Sequence, residues 1–126
     1  MNHILFLIVL LVCHYLADFC LTLPVMIRAK ADGRQLWPIM MHSMVHAVLM
    51  GICALLFGVN IPTVLYLMTF EAATHFVIDL SKARLSVHYP RLADATHKSY
   101  WMLYGLDQLL HQMVVIGIWA FAVSAK

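Results

Sequence analysis

Charged positions divide the chain into long apolar runs. The first Asp, Glu, Lys or Arg is Asp18, and the run from Ile4 to about Val25 predicts one helix of membrane-crossing length. Arg28, Lys30, Asp32 and Arg34 then make a short polar loop around Gly33. From Gln35 to Phe70 there is no Asp, Glu, Lys or Arg, and these 36 residues are too long for one crossing of about 20 residues. They fit two crossings joined at Gly58-Val59-Asn60-Ile61-Pro62, where Gly, Asn and Pro punctuate the chain. The expected spans are therefore 4–25, 38–57, 62–80 and 99–125. Pro38 is tolerated in a first helical turn, and Ser81 to Lys98 forms a second basic loop. The spans must be helices, because a bilayer core offers no water to unpaired backbone groups and the segments are too long and uniformly apolar for barrel strands. The chain reads as a single all-α domain over residues 1–126, a polytopic membrane protein built as a four-transmembrane-helix bundle.

Composition agrees with this pattern. Hydrophobic residues make up 63% and charged residues 11%, with a mean hydropathy of +0.86, against roughly 45–50% and about 25% in soluble domains. These values exclude a soluble enzyme, a disulfide-stapled secreted domain and a disordered tail. Cys13, Cys20 and Cys53 are an odd set within apolar stretches and give no disulfide framework. A net charge of +2 is too small to argue for nucleic acid. The N-terminal stretch lacks both a Lys/Arg-bearing leader and a small-residue cleavage site, and is expected to remain as the first span. Seven of the eight Lys and Arg residues fall in the loops 26–37 and 81–98. The positive-inside rule makes these two basic cytoplasmic loops and leaves both termini outside. Trp37, Tyr89, Tyr100 and Trp101 sit at the same boundaries, as an aromatic belt would.

The spans nevertheless contain His14, Asp18, His42, His46, Glu71, His75, Asp79, Asp107 and His111. Five pairs are spaced i, i+4, where about 0.8 would arise by chance over roughly 80 positions. That spacing puts both members of a pair on one helix face. Given the alternating direction of the spans, Asp18, His42, Asp79 and Asp107 form a layer nearer the basic loops. His14, His46, His75 and His111 form a second layer one turn further in, with Glu71 a turn beyond. A single Asp at mid-bilayer costs roughly 2.5–3.5 kcal/mol. No Lys or Arg lies well inside a span, and Lys82 is at the edge, so a cation or protons are expected to supply the missing charge. Imidazole with carboxylate suits zinc, manganese or iron, whereas magnesium and calcium prefer oxygen alone. The expected ligands are His14, Asp18, His42, His46, His75, Asp79, Asp107 and His111, with zinc first among the divalent transition metals. Glu71 and Asp107 are the candidate catalytic carboxylates. Gln108 and Ser43 read as packing residues, and His3, His88 and His97 as solvated or at headgroup level.

The ordered elements His14-Tyr-Leu-Ala-Asp18-Phe, His42-x3-His46, His75-Phe-Val-Ile-Asp79-Leu-Ser-Lys82 and Asp107-Gln108-x2-His111 resemble a bacterial and phage membrane family, held as domain of unknown function 3307. The resemblance covers nearly the whole chain, and Thr22 stands where that family leads one to expect Gln. It implies the topology and the motif residues but no reaction. A looser similarity, by analogy only, is to membrane-bound metal-dependent hydrolases and multi-span zinc amidases that act on lipids.

Three functional readings follow. The first is a metal-dependent hydrolase acting on a lipid-like substrate near the cytoplasmic leaflet. There a metal-bound water would approach a pKa of about 7, Glu71 or an Asp would be general base, and Arg84, Arg91 and Lys98 would hold an anionic headgroup. The second is a proton or divalent-metal conductor, formed by a homo-oligomer. The third is a di-iron lipid oxidase, beside which stands a purely structural membrane protein. Membrane lipids are the expected surroundings in every case.

Overall fold

The computed structural model describes residues 2–125, and among them every regular element is a helix. Helix α1 spans His3–Tyr15, with Asn2 Oδ1 capping it at the Leu5 amide, and runs directly into a π turn over Leu16–Cys20. Helices α2, α3, α4 and α5 span Pro24–Asp32, Leu36–Leu56, Ile61–His88 and Lys98–Ser124. Four helical segments, of 18, 21, 28 and 27 residues, are long and apolar enough to cross a membrane: α1 with its π turn, α3, α4 and α5.

The long helices alternate in direction. Around the bundle α1 lies between α3 and α5, and α4 lies between the same two, so α1 faces α4 across the axis and α3 faces α5. The Trp119 indole N–H donates to the His3 carbonyl at 2.8 Å, which places the end of α5 beside the start of α1. One end of the bundle therefore gathers the start of α1, the end of α5 and the 57–60 turn. The other carries α2 and the 89–97 segment, where the Thr96 amide and hydroxyl hold the Asp94 carboxyl below the usual carboxylate range.

Two boundaries differ from the sequence reading. The first span ends at Cys20 rather than near Val25, and the supposed polar loop contains the nine-residue helix α2. Pro24 begins this helix, where its missing N–H is harmless, and Gly33 ends it with φ +66°. Further on, residues 81–88 continue α4 by two turns instead of forming a loop. Nothing stops the helix before Tyr89-Pro90, since Ser81–His88 contains neither Gly nor Pro.

The far half of the bundle is a dry apolar plug built on Phe6, Leu10, Met50, Val64, Leu67, Val115 and Ile118. In a hydrocarbon surrounding, which is as apolar as this core, association of such helices would depend on close packing. Ala47 and Gly51 on α3 supply a small-residue face, and a Cβ at Gly51 would lie 2.5 Å from Met68 Sδ on α4. Large apolar side chains point outward around the girdle, among them Ile4, Ile8, Leu56, Leu65, Met102 and Met113. Polar and charged side chains occupy the interior of the other half. This distribution, apolar outside and polar inside, is the reverse of that in a water-soluble bundle.

Helix α2 packs on α3 and α4, and its close seat depends on Gly33. A Cβ there would lie 3.3 Å from the Ala83 carbonyl carbon and would also have to adopt a left-handed conformation. Gly33→Ala should therefore destabilise the protein by about 1–2 kcal/mol in reversible unfolding from detergent. Gly105→Ala, on a helix with nothing within 4 Å of the new Cβ, should stabilise it by up to about 1 kcal/mol.

Candidate metal centre

Nine ionisable residues from four helices converge at the middle of the polar half. His14 comes from α1, Asp18 from the π turn, and His42 and His46 from α3; Glu71, His75 and Asp79 come from α4, and Asp107 and His111 from α5. His14, His42, His46, Glu71, His75, Asp79, Asp107 and His111 are buried. The i, i+4 spacing does the local work: His14 Nε2 lies 3.4 Å from Asp18 Oδ2, and His75 lies one turn from both Glu71 and Asp79. Convergence across the axis is direct, since the rings of His14 and His75 are 5.8 Å apart between centroids. His46 and His75 stand at 3.7 Å and His75 and His111 at 4.2 Å.

The π turn sets Asp18. Its widened backbone bond runs from the Leu21 amide to the Leu16 carbonyl at 2.9 Å. Thr22 Oγ1 donates to the carbonyls of Ala17 and Asp18 at 2.9 and 2.6 Å, satisfying groups the turn would leave open. Asp18 Oδ1 then accepts from His42 Nε2 at 3.1 Å. That donation leaves the lone pair of His42 on Nδ1, which has no hydrogen-bond partner. On α5, His111 Nδ1 donates to the Asp107 carbonyl at 2.8 Å, so the Nε2 lone pair faces inward without a partner. Anchoring one ring nitrogen on a carbonyl and freeing the other is how proteins prepare a histidine to bind metal.

Two lysines change the charge balance expected from sequence. Lys30 Nζ, brought over the cluster by α2, is 2.8 Å from Asp79 Oδ2 and 3.7 Å from Asp18 Oδ1. Lys82 Nζ, on the extension of α4, donates to Asp107 Oδ2 at 2.7 Å. The expectation that only a cation or protons could neutralise the acids is thus corrected, because side chains anchored outside the hydrophobic runs reach in with their ammonium groups. Gln108, read as packing, donates to both Asp18 and Asp107 at 3.3 Å. Ser43 does bond only within its helix, to the Ile39 carbonyl. Pro24 and Gly33 bracketing α2 were the available signal for Lys30. Gln108 had none, since i, i+1 neighbours do not share a helix face.

With two ammonium groups against Asp18, Glu71, Asp79 and Asp107, two negative charges remain on the cluster if every imidazole is neutral. Among the described residues, ten buried side-chain nitrogen and oxygen atoms make no hydrogen bond. Asp79 Oδ2 is ion-paired with Lys30, and the other nine, including both nitrogens of His14 and of His75, His46 Nε2 and Glu71 Oε2, have no lysine partner. Left unmet, each costs about 1–3 kcal/mol. Three groups bring their donor atoms within 4.8 Å of one another: His14, His46, Glu71 and His75; Asp18, His42, His46 and His75; and His75, Asp79 and His111. Asp107 belongs to none of the three and is held instead by Lys82 and Gln108.

Two voids flank the cluster. A cavity of about 210 Å³ at the basic end is walled by Lys30, Asp79, Lys82, Ser86, Tyr100 and Tyr104, among others. On the far side a void of about 10 Å³ lies between His14, His46 and Glu71 and the apolar Leu10, Met50 and Val115. Arg84, Arg91 and Lys98 are exposed and do not line either void.

The sequence model of the family described as "Protein of unknown function (DUF3307)" matches residues 6–126. The chain belongs to that family. The match spans all four motif elements and the residues that build the cluster. No match was found among curated proteins or solved structures, and the looser likeness to membrane-bound metal-dependent hydrolases is not shown. The site of this DUF3307 member is therefore argued from its own geometry.

The Lys82–Asp107 contact is open to direct measurement. Lys82→Met should destabilise the protein by about 1–3 kcal/mol, discounted from the roughly 3–5 kcal/mol of a fully buried pair because the lysine is 30% exposed. Adding Asp107→Asn should recover most of that loss, and a double-mutant cycle gives the coupling.

Proposed function

We propose that this protein binds a divalent transition metal within the membrane and uses it to hydrolyse an anionic, lipid-like substrate. One observation carries the reading. Asp79 belongs at once to the three-donor group with His75 and His111 and to the wall of the 210 Å³ cavity. Three protein donors beside an open space is the arrangement of catalytic zinc sites, which keep one position for water or substrate. The two negative charges left on the cluster equal the charge of one divalent ion, and the unpartnered ring nitrogens are the donors such an ion takes. Zinc suits this mixed set best, with manganese or iron as substitutes.

Bound there, the ion would supply Lewis acidity and lower the pKa of a water toward about 7. The chain's own groups do the rest. Asp107 Oδ1 has no hydrogen-bond partner, stands 3.8 Å from His111 Nδ1, and serves as general base while Lys82 and Gln108 fix the other carboxylate oxygen. Lys30, released from Asp79 when that carboxylate takes a metal, joins Lys82 in holding the anionic substrate. Arg84, Arg91 and Lys98, the sequence's candidates for this role, are exposed and suit topology better. The apolar plug closes the opposite side, so the centre is reached from the basic end alone. A one-sided site favours chemistry over conduction, which needs polar steps on both sides. The positive-inside rule puts the basic end in the cytoplasm and both termini outside, and the family resemblance makes a bacterial inner membrane the proposed location. The substrate then enters from the cytoplasmic leaflet.

Elemental analysis of protein purified in detergent should find bound transition metal, with part of it lost in Asp79→Asn and none in Asp107→Asn. On vesicles of anionic phospholipid, Asp107→Asn should lower product release about 10²–10⁴-fold, and chelation should abolish it. A wild-type protein that is folded yet holds no metal sinks this reading. Metal flux into liposomes without lipid cleavage would replace hydrolysis by transport.

A further inference from the structure

His75 stands at the centre of the cluster. Its ring is fully buried on α4, within 5.8 Å of the rings of His14, His42, His46 and His111. Its two nitrogens face opposite carboxylates one helical turn away on either side: Nδ1 is 3.4 Å from Glu71 Oε1, and Nε2 is 3.5 Å from Asp79 Oδ2. Neither nitrogen makes a hydrogen bond. A neutral imidazole has one N–H and one lone pair, so it cannot donate to both carboxylates.

Two of the three donor groups share His75 and nothing else. One is His14, His46, Glu71 and His75; the other is His75, Asp79 and His111. We propose that His75 bridges two divalent ions as an imidazolate, Nδ1 completing the first group and Nε2 the second. The inference rests on the metal-binding reading above and extends it from one ion to two. Each site has its own space. The first borders the void of about 10 Å³, which has room for at most one water-sized particle, and the second reaches the cavity of about 210 Å³ through Asp79. Four donors make a closed, structural site, and three leave a position open. The two ions therefore divide the work: the inner one fixes His75 and three helices, and the outer one meets substrate.

On binding, His75 gives its remaining ring proton to solvent, both nitrogen lone pairs become ligands, and no redox change occurs. Four carboxylates and one imidazolate then carry five negative charges, against six positive charges from Lys30, Lys82 and two divalent ions. The surplus of one favours an anionic substrate.

The test uses the full chain in detergent, stripped with a chelator and titrated with Cu²⁺ alone, with ions counted by elemental analysis and followed by electron paramagnetic resonance. Two ions per chain are expected. Coupling through the imidazolate should make the signal at two equivalents fall well below that of two independent ions. His111→Ala should bind one ion and recover the full single-ion signal. One ion in the wild type overturns the bridge and leaves the metal-binding reading standing. Two ions with an undiminished signal also overturn the bridge, and no ion overturns both readings. Should His111→Ala fail to fold, the wild-type count and spectrum decide the matter alone.

Discussion

Four carboxylates have to be held inside an apolar helix bundle, and the rest of the fold answers to that burden. A charge in such surroundings is tolerated only when paired, hydrogen-bonded or bound to metal. Lys30 and Lys82 supply two opposing charges, and imidazoles surround the remainder. The devices that look irregular are the ones that deliver these partners. The π turn aims Asp18, with Thr22 satisfying its open carbonyls, and Gly33 seats α2 so that Lys30 reaches over Asp79. The two extra turns of α4 carry Lys82 to Asp107.

The bundle divides its labour along the axis. The far half is close-packed and dry, with Phe6 against Phe57 and small residues on α3 admitting α4. It gives the helices a fixed register that the polar half could not supply, because buried ionisable groups are weak evidence of stability in themselves. The polar half spends that stability on ring nitrogens and carboxylate oxygens kept without partners. Such strain concentrates where function lies. The plug also makes the site a dead end, which bears on the chemistry as much as on the packing.

Membership of DUF3307 extends these arguments across residues 6–126 but brings no activity with it. The cluster's function lies in its donor chemistry: His42 and His111 each have one nitrogen anchored by hydrogen bonding and the other free, and His75 presents both nitrogens to carboxylates. Hydrogen-bonded interhelical glue would have used these atoms rather than left them open.

The sequence by itself determined the class, the four long helices and the residues of the cluster. Membrane length and the i, i+4 period are local properties, and each His and acid that converges was visible on its own helix face. It also placed the turn at Gly58–Asn60, although Ile61 and Pro62, expected within it, already open α4. Local signals did not reach further. That α1 faces α4, bringing His14 to His75, depends on how four apolar surfaces pack, and many orders satisfy one hydropathy pattern. Lys30 read as an ordinary topology charge because its ion pair lies 49 residues away, at Asp79. Gln108 read as packing because one of its partners, Asp18, lies 90 residues away. Only the tertiary structure could decide these contacts, since they are made between helices and leave no period in the sequence.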